Sequence, residues 1–295
     1  MVAALGANLG IAVSKFIAFG FTGSSSMLSE AVHSVADSGN QLLLLSGGRR
    51  SRREASAQHQ FGYGRARYLS GFVVSVVLFV LGGLFALYEG VHKIAHAGHV
   101  EDARIALAVL VVAIILEGLS FRTAVQEANR DRGPRGFIRY LRESRAPEIP
   151  VILMEDAGAL LGLVFALVGV GMASLTHDAR WDGLGAVAVG VLLVCVAAFL
   201  AVETSSLLLG EAALPEEELA IREALQASEL VDRVIHLRTM HVGPDELLVA
   251  AKIAISSTSS AREIARGIDD AERALRARVP TARYVFLEPD LDRLL

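Results

Sequence analysis

Apolar residues fill the first two thirds of the chain in long blocks separated by short polar or arginine-rich connections. A helix needs about 20 mostly apolar residues to cross a bilayer. Six stretches reach that length: 2–21, 27–47, 68–95, 103–124, 149–174 and 183–209. After Leu209 the pattern changes. Pro215 and the glutamates 216–218 open a polar helix that ends near Ser228. Residues 231–241 and 247–255 have strand character, 259–278 carry the periodicity of an amphipathic helix, and 282–288 read as a last strand. The predicted fold is an α-helical membrane protein. Six transmembrane helices occupy residues 1–210, and a small cytoplasmic α+β domain with the order helix, strand, strand, helix, strand occupies 211–295.

Composition supports the membrane class: 53% of the 295 residues are hydrophobic and the mean hydropathy is +0.48. The formal net charge of −4 conceals an uneven distribution. Arg49, Arg50, Arg52, Arg53, Arg65 and Arg67 lie between the second and third blocks, and Arg130, Arg132, Arg135, Arg139, Arg142 and Arg145 between the fourth and fifth. The opposite connections hold little more than Lys93, Arg104 and Arg180. Basic loops stay in the cytoplasm, so both termini and the C-terminal domain are expected there, with the cell inner membrane as the host bilayer. Topology accounts for the arginines, and no nucleic-acid partner is expected. Cys195 is the only cysteine and lies in an apolar run, which excludes a disulfide within the chain and a cysteine-based metal site. Met1 is followed at once by apolar residues without a basic leader, so the first block is expected to be a retained span, with room for a few residues upstream. That block carries Asn8 and Lys15, and Lys15 is expected to extend its ammonium to an interface.

The second block is the least typical of a lipid-facing helix. Glu30, His33, Ser34, Asp37 and Gln41 fall at i, i+3, i+4, i+7 spacing and form one polar stripe, with Ser29, Ser38 and Asn40 beside it. A charged residue at the bilayer centre costs roughly 2.5–3.5 kcal/mol on insertion scales, so such a stripe faces the bundle interior and marks a transport path. His33 and Asp37 project from the same face one turn apart, and imidazole with carboxylate is a zinc-binding pair. An internal His–Asp hydrogen bond bracing the bundle is the plainer reading of the same spacing. The fifth block supplies Glu155 and Asp156, followed by Gly158 and Gly162, whose small-x-x-x-small spacing lets another helix approach closely. Glu117 is a further acid within the fourth block.

Four segments carry a resemblance: Thr22-Gly-Ser-Ser-Ser-Met-Leu-Ser-Glu-Ala-Val-His33-Ser-Val-Ala-Asp37, Phe61-Gly-Tyr-Gly-Arg65, Glu155-Asp156, and Leu237-Arg-Thr-Met-His-Val-Gly-Pro244 in the C-terminal domain. They resemble the cation diffusion facilitator family of zinc transporters. The Glu-Asp pair and its preceding arginine-rich loop resemble the zinc transporter nine branch. The resemblance implies six spans, a cytoplasmic metallochaperone-like, ferredoxin-like domain, a homodimer, and metal export in exchange for protons. It also implies a transport site with two ligands from span 2, matched by His33 and Asp37, and two from span 5, of which Asp156 matches one. The other position, usually His, is Ile152. Glu155, Glu117 or bound water are the alternatives for the fourth ligand. Adjacent residues on a helix point about 100° apart, so Glu155 serves only if the helix rotates or its carboxylate reaches around.

Other metal positions of the family are altered. His59 remains in the loop before the Phe61 motif, but Tyr63 stands where a second His is common. Ile235, Lys252 and Leu287 replace C-terminal histidines. His236, His241, Glu288 and Asp290 are out of register and are expected to be surface or dimer-contact residues. The reading is a secondary active transporter, not an enzyme. No nucleotide-binding Walker A sequence is present, and an intramembrane hydrolase would need a nucleophile motif that the chain lacks. Zinc is the favoured substrate, with iron, cobalt or manganese as alternatives. A non-transporting membrane scaffold or sensor is the reading from another class.

Overall fold

Long apolar blocks satisfy their backbone polar groups internally by forming helices, and the computed structural model of the chain is built on that solution. It describes residues 2–96, 103–255 and 260–291. The side chains of residues 2–9, 11 and 291 lie outside the description, that of Asn8 among them. Two compact units emerge: Met1–Arg49 with Leu69–Ser205, and Arg50–Tyr68 with Ser206–Leu295.

Among the described residues six long rods make the helical unit: α1 (Val2–Thr22), α2 (Ser25–Ser51), α3 and α4 (Ala66–Val77 and Phe85–Ala95) joined by a π-helical segment at Leu78–Leu84, α5 (Arg104–Arg132), α7 (Glu148–Thr176) and α8 (Arg180–Leu209). Among the described residues four of these are long and apolar enough to cross a membrane unaided: Ala66–Ala95, Arg104–Arg132, Glu148–Thr176 and Arg180–Leu209. The described apolar part of α1, Ala12–Thr22, is shorter. Helix α2 is absent from that set because Glu30, His33, Ser34, Ser38 and Asn40 fill its middle, and it buries these polar groups within the protein. Apolar clusters flank it. Met27 packs with Ala18 of α1, Ala106 and Leu110 of α5, and Leu163 of α7, while Leu44 packs with Leu78, Val151 and Leu193.

Close helix contact is made by glycine, because lipid-facing helices associate through backbone approach more than through apolar attraction. A Cβ on Gly90 of α4 would stand 2.7 Å from the Gly183 carbonyl oxygen and the Val187 nitrogen of α8. One on Gly190 would meet the Leu87 nitrogen at 2.7 Å. The short helix α6 (Phe137–Glu143), which apolar block length does not reveal, lies in the arginine-rich connection. Its fully buried Tyr140 donates a hydrogen bond to Asp131 at 2.8 Å.

In the second unit α9 (Pro215–Gln226) and α10 (Ala261–Arg278) flank a three-stranded sheet of order β1-β2-β3, with β1 at Arg233–Gly243, β2 at Glu246–Ile255 and β3 at Ala282–Leu291. β1 and β2 pair antiparallel; β2 and β3 pair parallel, with α10 as the crossover. Ile221, Leu225, Leu247, Val249, Ile253 and Leu275 form its core. The segment 50–68 packs on this unit. Gly64 lies so close to the β1–β2 turn that a Cβ there would stand 2.8 Å from the Val242 oxygen. Arg65 reaches the Met240 sulfur at 3.3 Å, Arg67 pairs with Asp245 at 3.2 Å, and Phe61 meets Tyr284 edge-on.

Candidate metal site and its relatives

Because α2 has the i, i+3, i+4, i+7 stripe, one helical face presents Glu30, His33, Ser34 and Asp37 together. His33 is 1% exposed, and neither of its ring nitrogens has a hydrogen-bond partner among the described residues. A buried polar group without a partner is costly and rare, and this imidazole leaves both ring nitrogens open to one. Its Nε2 stands 3.5 Å from an Asp37 oxygen. Two donors each about 2.0–2.2 Å from a shared tetrahedral ion lie about 3.3–3.6 Å apart, so the pair has the span of two ligands to one zinc. The plainer reading, a His–Asp hydrogen bond, does not form at this geometry.

Asp156 on α7 does not stand free: it accepts a hydrogen bond from Ser120 of α5 at 3.0 Å. Asp156 and Glu117 lie within electrostatic reach of His33, as do Glu30 and Lys15. Asp37 shares that field with Lys15, Asp156 and Glu30. The five acids and histidine picked out from the sequence thus fall in one region of the bundle but not in one coordination shell. Among the described residues no three His, Cys, Asp or Glu side chains approach closely enough to hold a metal ion. Glu155 is engaged elsewhere. Its buried carboxylate accepts a 2.6 Å hydrogen bond from the Asn40 amide, which lies two turns along α2 from His33. Ile152 packs among apolar neighbours. Gly162 does admit α2: a Cβ there would stand 2.8 Å from Glu30 Oε1, whereas Gly158 faces Leu193 and Val196 of α8. The π-helical segment carries Gly82 to the other side of the imidazole, where a Cβ would lie 3.7 Å from His33 Nδ1. Such π-bulges recur at functional sites.

Lys15 corrects the sequence reading. It does not extend to an interface. It is 1% exposed, with its ammonium 3.1 Å from Glu30 Oε2 and 2.7 Å from Ser34 Oγ. The buried carboxylate of Glu30 draws it inward, since an unpaired buried charge costs more than ordering a lysine chain. Ser120, Lys15 and the role of Asn40 were not legible from the pattern of α2 alone. Ser120 lies one turn from Glu117 on α5, and that spacing was the available signal.

The altered sites of the second unit have local explanations. Lys252 places its ammonium 3.1 Å from Glu288 and 2.9 Å from Asp290 on the neighbouring strand, so the acids have a built-in cation. Those contacts, Asp290 first, raise the lysine pKa. His236 is exposed, but His241 is not a surface residue as expected: it is 1% exposed, 3.8 Å from Glu217. A shift in register between Val234 and His236 sets the inward face of β1, and Leu237 and His241 share it. Tyr63 packs at a tilt against the His59 ring and shares a 3.1 Å hydrogen bond with Ser56.

A helical bundle with a buried histidine–carboxylate stripe and a small α+β unit defines a multi-pass membrane protein of the cation-handling class. Residues 1–209 match the cation efflux transmembrane domain, and the chain belongs to that family, the cation diffusion facilitators. Among its relatives is the human "Proton-coupled zinc antiporter SLC30A9, mitochondrial", 34% identical over 241 residues, covering 81% of this chain and 42% of the relative. The Arabidopsis thaliana "Metal tolerance protein C4" is 28% identical over 81% of this chain and 53% of its own. The "Cation-efflux pump FieF" of Pectobacterium atrosepticum is 25% identical over 97% of this chain and 90% of the relative. The chain thus spans less than half the length of the human relative. A solved C-terminal domain of MamM in a nickel form is similar over 27% of this chain and all of that one, at 16% identity and a TM-score of 0.26.

Proposed function

We propose that the chain exports zinc from the cytoplasm in exchange for protons, binding the ion through His33, Asp37 and Asp156. The carrying observation is the His33 imidazole: fully buried, without a hydrogen-bond partner among the described residues, and 3.5 Å from a carboxylate on the same helix. Asp156 completes the set when α7 shifts toward α2, exchanging the Ser120 hydrogen bond for the ion. Glu117, within electrostatic reach of the same imidazole, is the fourth candidate. Glu155 serves α2 through Asn40 instead.

Neutral imidazole and ionised carboxylates bind either zinc or protons with the same electron pairs. Loading from the cytoplasm therefore displaces protons, and protons arriving from the other side displace the ion. No nucleotide is needed. The names of the SLC30A9 relatives, zinc antiporters coupled to protons, support this exchange. The arginine-rich connections support a topology with both termini in the cytoplasm and the inner membrane of the cell as host bilayer. The second unit serves a homodimer, with Lys252 filling the place of a bound metal.

A second reading concerns the ion. With Ile152 in place of a histidine the site has one imidazole among oxygen donors, a set that also accepts iron, cobalt or manganese. Purified chain reconstituted into sealed vesicles, given each metal in turn under an imposed pH difference, tests both points. Zinc uptake that rises with the proton gradient and vanishes in His33→Ala is expected. Uptake indifferent to pH would exclude exchange, and retained flux in His33→Ala would exclude His33 as a ligand.

A further inference from the structure

The buried pair Lys15–Glu30 lies against the proposed site without belonging to it. Glu30 precedes His33 by one helical turn on the same face of α2, and its carboxylate is 0% exposed. One oxygen, Oε2, takes the Lys15 ammonium at 3.1 Å; the other, Oε1, has no hydrogen-bond partner among the described residues and lies over Gly162 of α7. The ammonium is fixed a second time by Ser34 at 2.7 Å, so it is anchored to α2 on both sides of His33 in sequence. Its charge reaches His33, Asp37 and Glu117.

A buried carboxylate on the ligand stripe, with a free oxygen, is a ready extra metal ligand. We infer that Lys15 is a tethered counter-cation that keeps Glu30 out of the metal's coordination shell and so sets how weakly the transport site holds its divalent ion. The inference rests on the reading of His33 and Asp37 as ligands. Lys15 is a positioning and specificity-determining residue here, acting through Glu30 and not on the ion directly. Its consequence is a labile site. With Lys15 present the pair contributes no net charge and no ligand; without it the ion gains a negative charge and a donor, binds tightly and leaves slowly.

A charge cycle tests this in the full chain, purified in detergent, with zinc binding followed by titration calorimetry and flux measured in vesicles. Removing one unit charge close to a divalent ion in a medium of effective dielectric near 20 shifts its affinity by about tenfold or more. Lys15→Met should tighten zinc binding by about that factor while lowering both KM and kcat. Glu30→Gln, which leaves the ammonium unopposed, should weaken binding by a similar factor, and Lys15→Met with Glu30→Gln should return to within about threefold of the parent. Lys15→Arg should retain parental affinity. A merely structural ion pair would make both single changes weaken binding together, and that result overturns the inference, as does affinity unmoved by either. If Lys15→Met does not fold, Glu30→Gln and the double variant decide: weakening in the first that the second does not relieve overturns the inference. His33→Ala is carried alongside. If it abolishes zinc binding, a flat cycle counts against Lys15 alone; if zinc binding survives it, the site and the inference fall together.

Discussion

The His33 imidazole and the Asp37 carboxylate, one turn apart on α2, stand 3.5 Å from each other without forming a hydrogen bond. That separation suits two arms on one tetrahedral ion better than a direct bond. Removing either arm should therefore abolish transport, not merely weaken it. In reconstituted vesicles, His33→Ala and Asp37→Asn are expected to lower zinc flux by more than about a hundredfold, beyond the usual cost of losing an outer partner of a ligand. The protein should remain folded, since among the described residues no side-chain hydrogen bond of His33 is lost. Zinc flux above a tenth of the parental rate in either variant would rule out the pair as ligands.

Asp156 is held by Ser120 across the α5–α7 contact at 3.0 Å. If Asp156 is a ligand, Ser120 orients it in the metal-free protein. Groups that orient a ligand cost roughly ten- to hundredfold in metal affinity when lost. Ser120→Ala is expected to weaken zinc binding within that range, and Asp156→Asn to exceed it. Glu155→Gln keeps the Asn40 contact sterically and should change flux far less than Asp156→Asn. Equal losses in Glu155→Gln and Asp156→Asn would move the ligand role toward Glu155.

The rods of the helical unit were readable because bilayer crossing demands uninterrupted apolar length, and α5, α7 and α8 begin and end within a few residues of the predicted blocks except where α5 runs on to Arg132. The polar stripe of α2 was readable because 3.6 periodicity places His33 and Asp37 on one face. The inward turn of Lys15 is hidden in the sequence for a definite reason. A lone lysine near a helix middle has no partner within its own periodicity, and the carboxylate that captures it lies 15 residues away on another helix. The docking of Gly64 and Arg65 on the β1–β2 turn was equally hidden, because it depends on residues more than 170 positions distant. His241 went inward through a bulge in register that alternation alone does not foresee.

Outside the membrane, α10 begins with a reciprocal cap. The Ser260 backbone N–H donates to the Glu263 carboxylate at 2.7 Å, and the Glu263 N–H donates to Ser260 Oγ at 3.3 Å. The backbone donor, then the serine hydroxyl, lowers the Glu263 pKa below its ordinary value. A folded-state pKa below the unfolded one gives a contribution present above the unfolded carboxylate value and lost as pH falls through the folded one. The start of α10 is therefore expected to fray in acid. Amide exchange at residues 261–264 should accelerate below about pH 4 beyond the intrinsic change, and Glu263→Gln should remove that dependence. An acid response identical in Glu263→Gln would assign it to other groups.

The end of α2 away from the arginine-rich loop is capped by a residue of another helix. The N-terminus of α2 leaves backbone N–H groups that its own helix cannot satisfy. The carboxylate of Asp182, in the first turn of α8 and 5% exposed, accepts from the Ser25 N–H at 2.8 Å, the Ser26 N–H at 3.2 Å and the Ser24 hydroxyl at 2.8 Å. Ser26 Oγ donates in turn to the Asp182 carbonyl at 2.9 Å. This cap from another helix joins the start of the site-bearing helix to α8, and the negative carboxylate also favours the positive end of the α2 dipole. Losing it strands buried donors, each costing about 1–3 kcal/mol. Asp182→Ala is expected to destabilise the chain by roughly 2–4 kcal/mol on the same scale, lowering the thermal midpoint in detergent by several degrees. Asp182→Asn, which keeps one acceptor oxygen, should fall between. Because the cap lies well along α2 from His33, zinc affinity of the folded Asp182→Asn protein should stay within about threefold of the parent. A midpoint unchanged in Asp182→Ala would show that water serves the helix end as well as the carboxylate does.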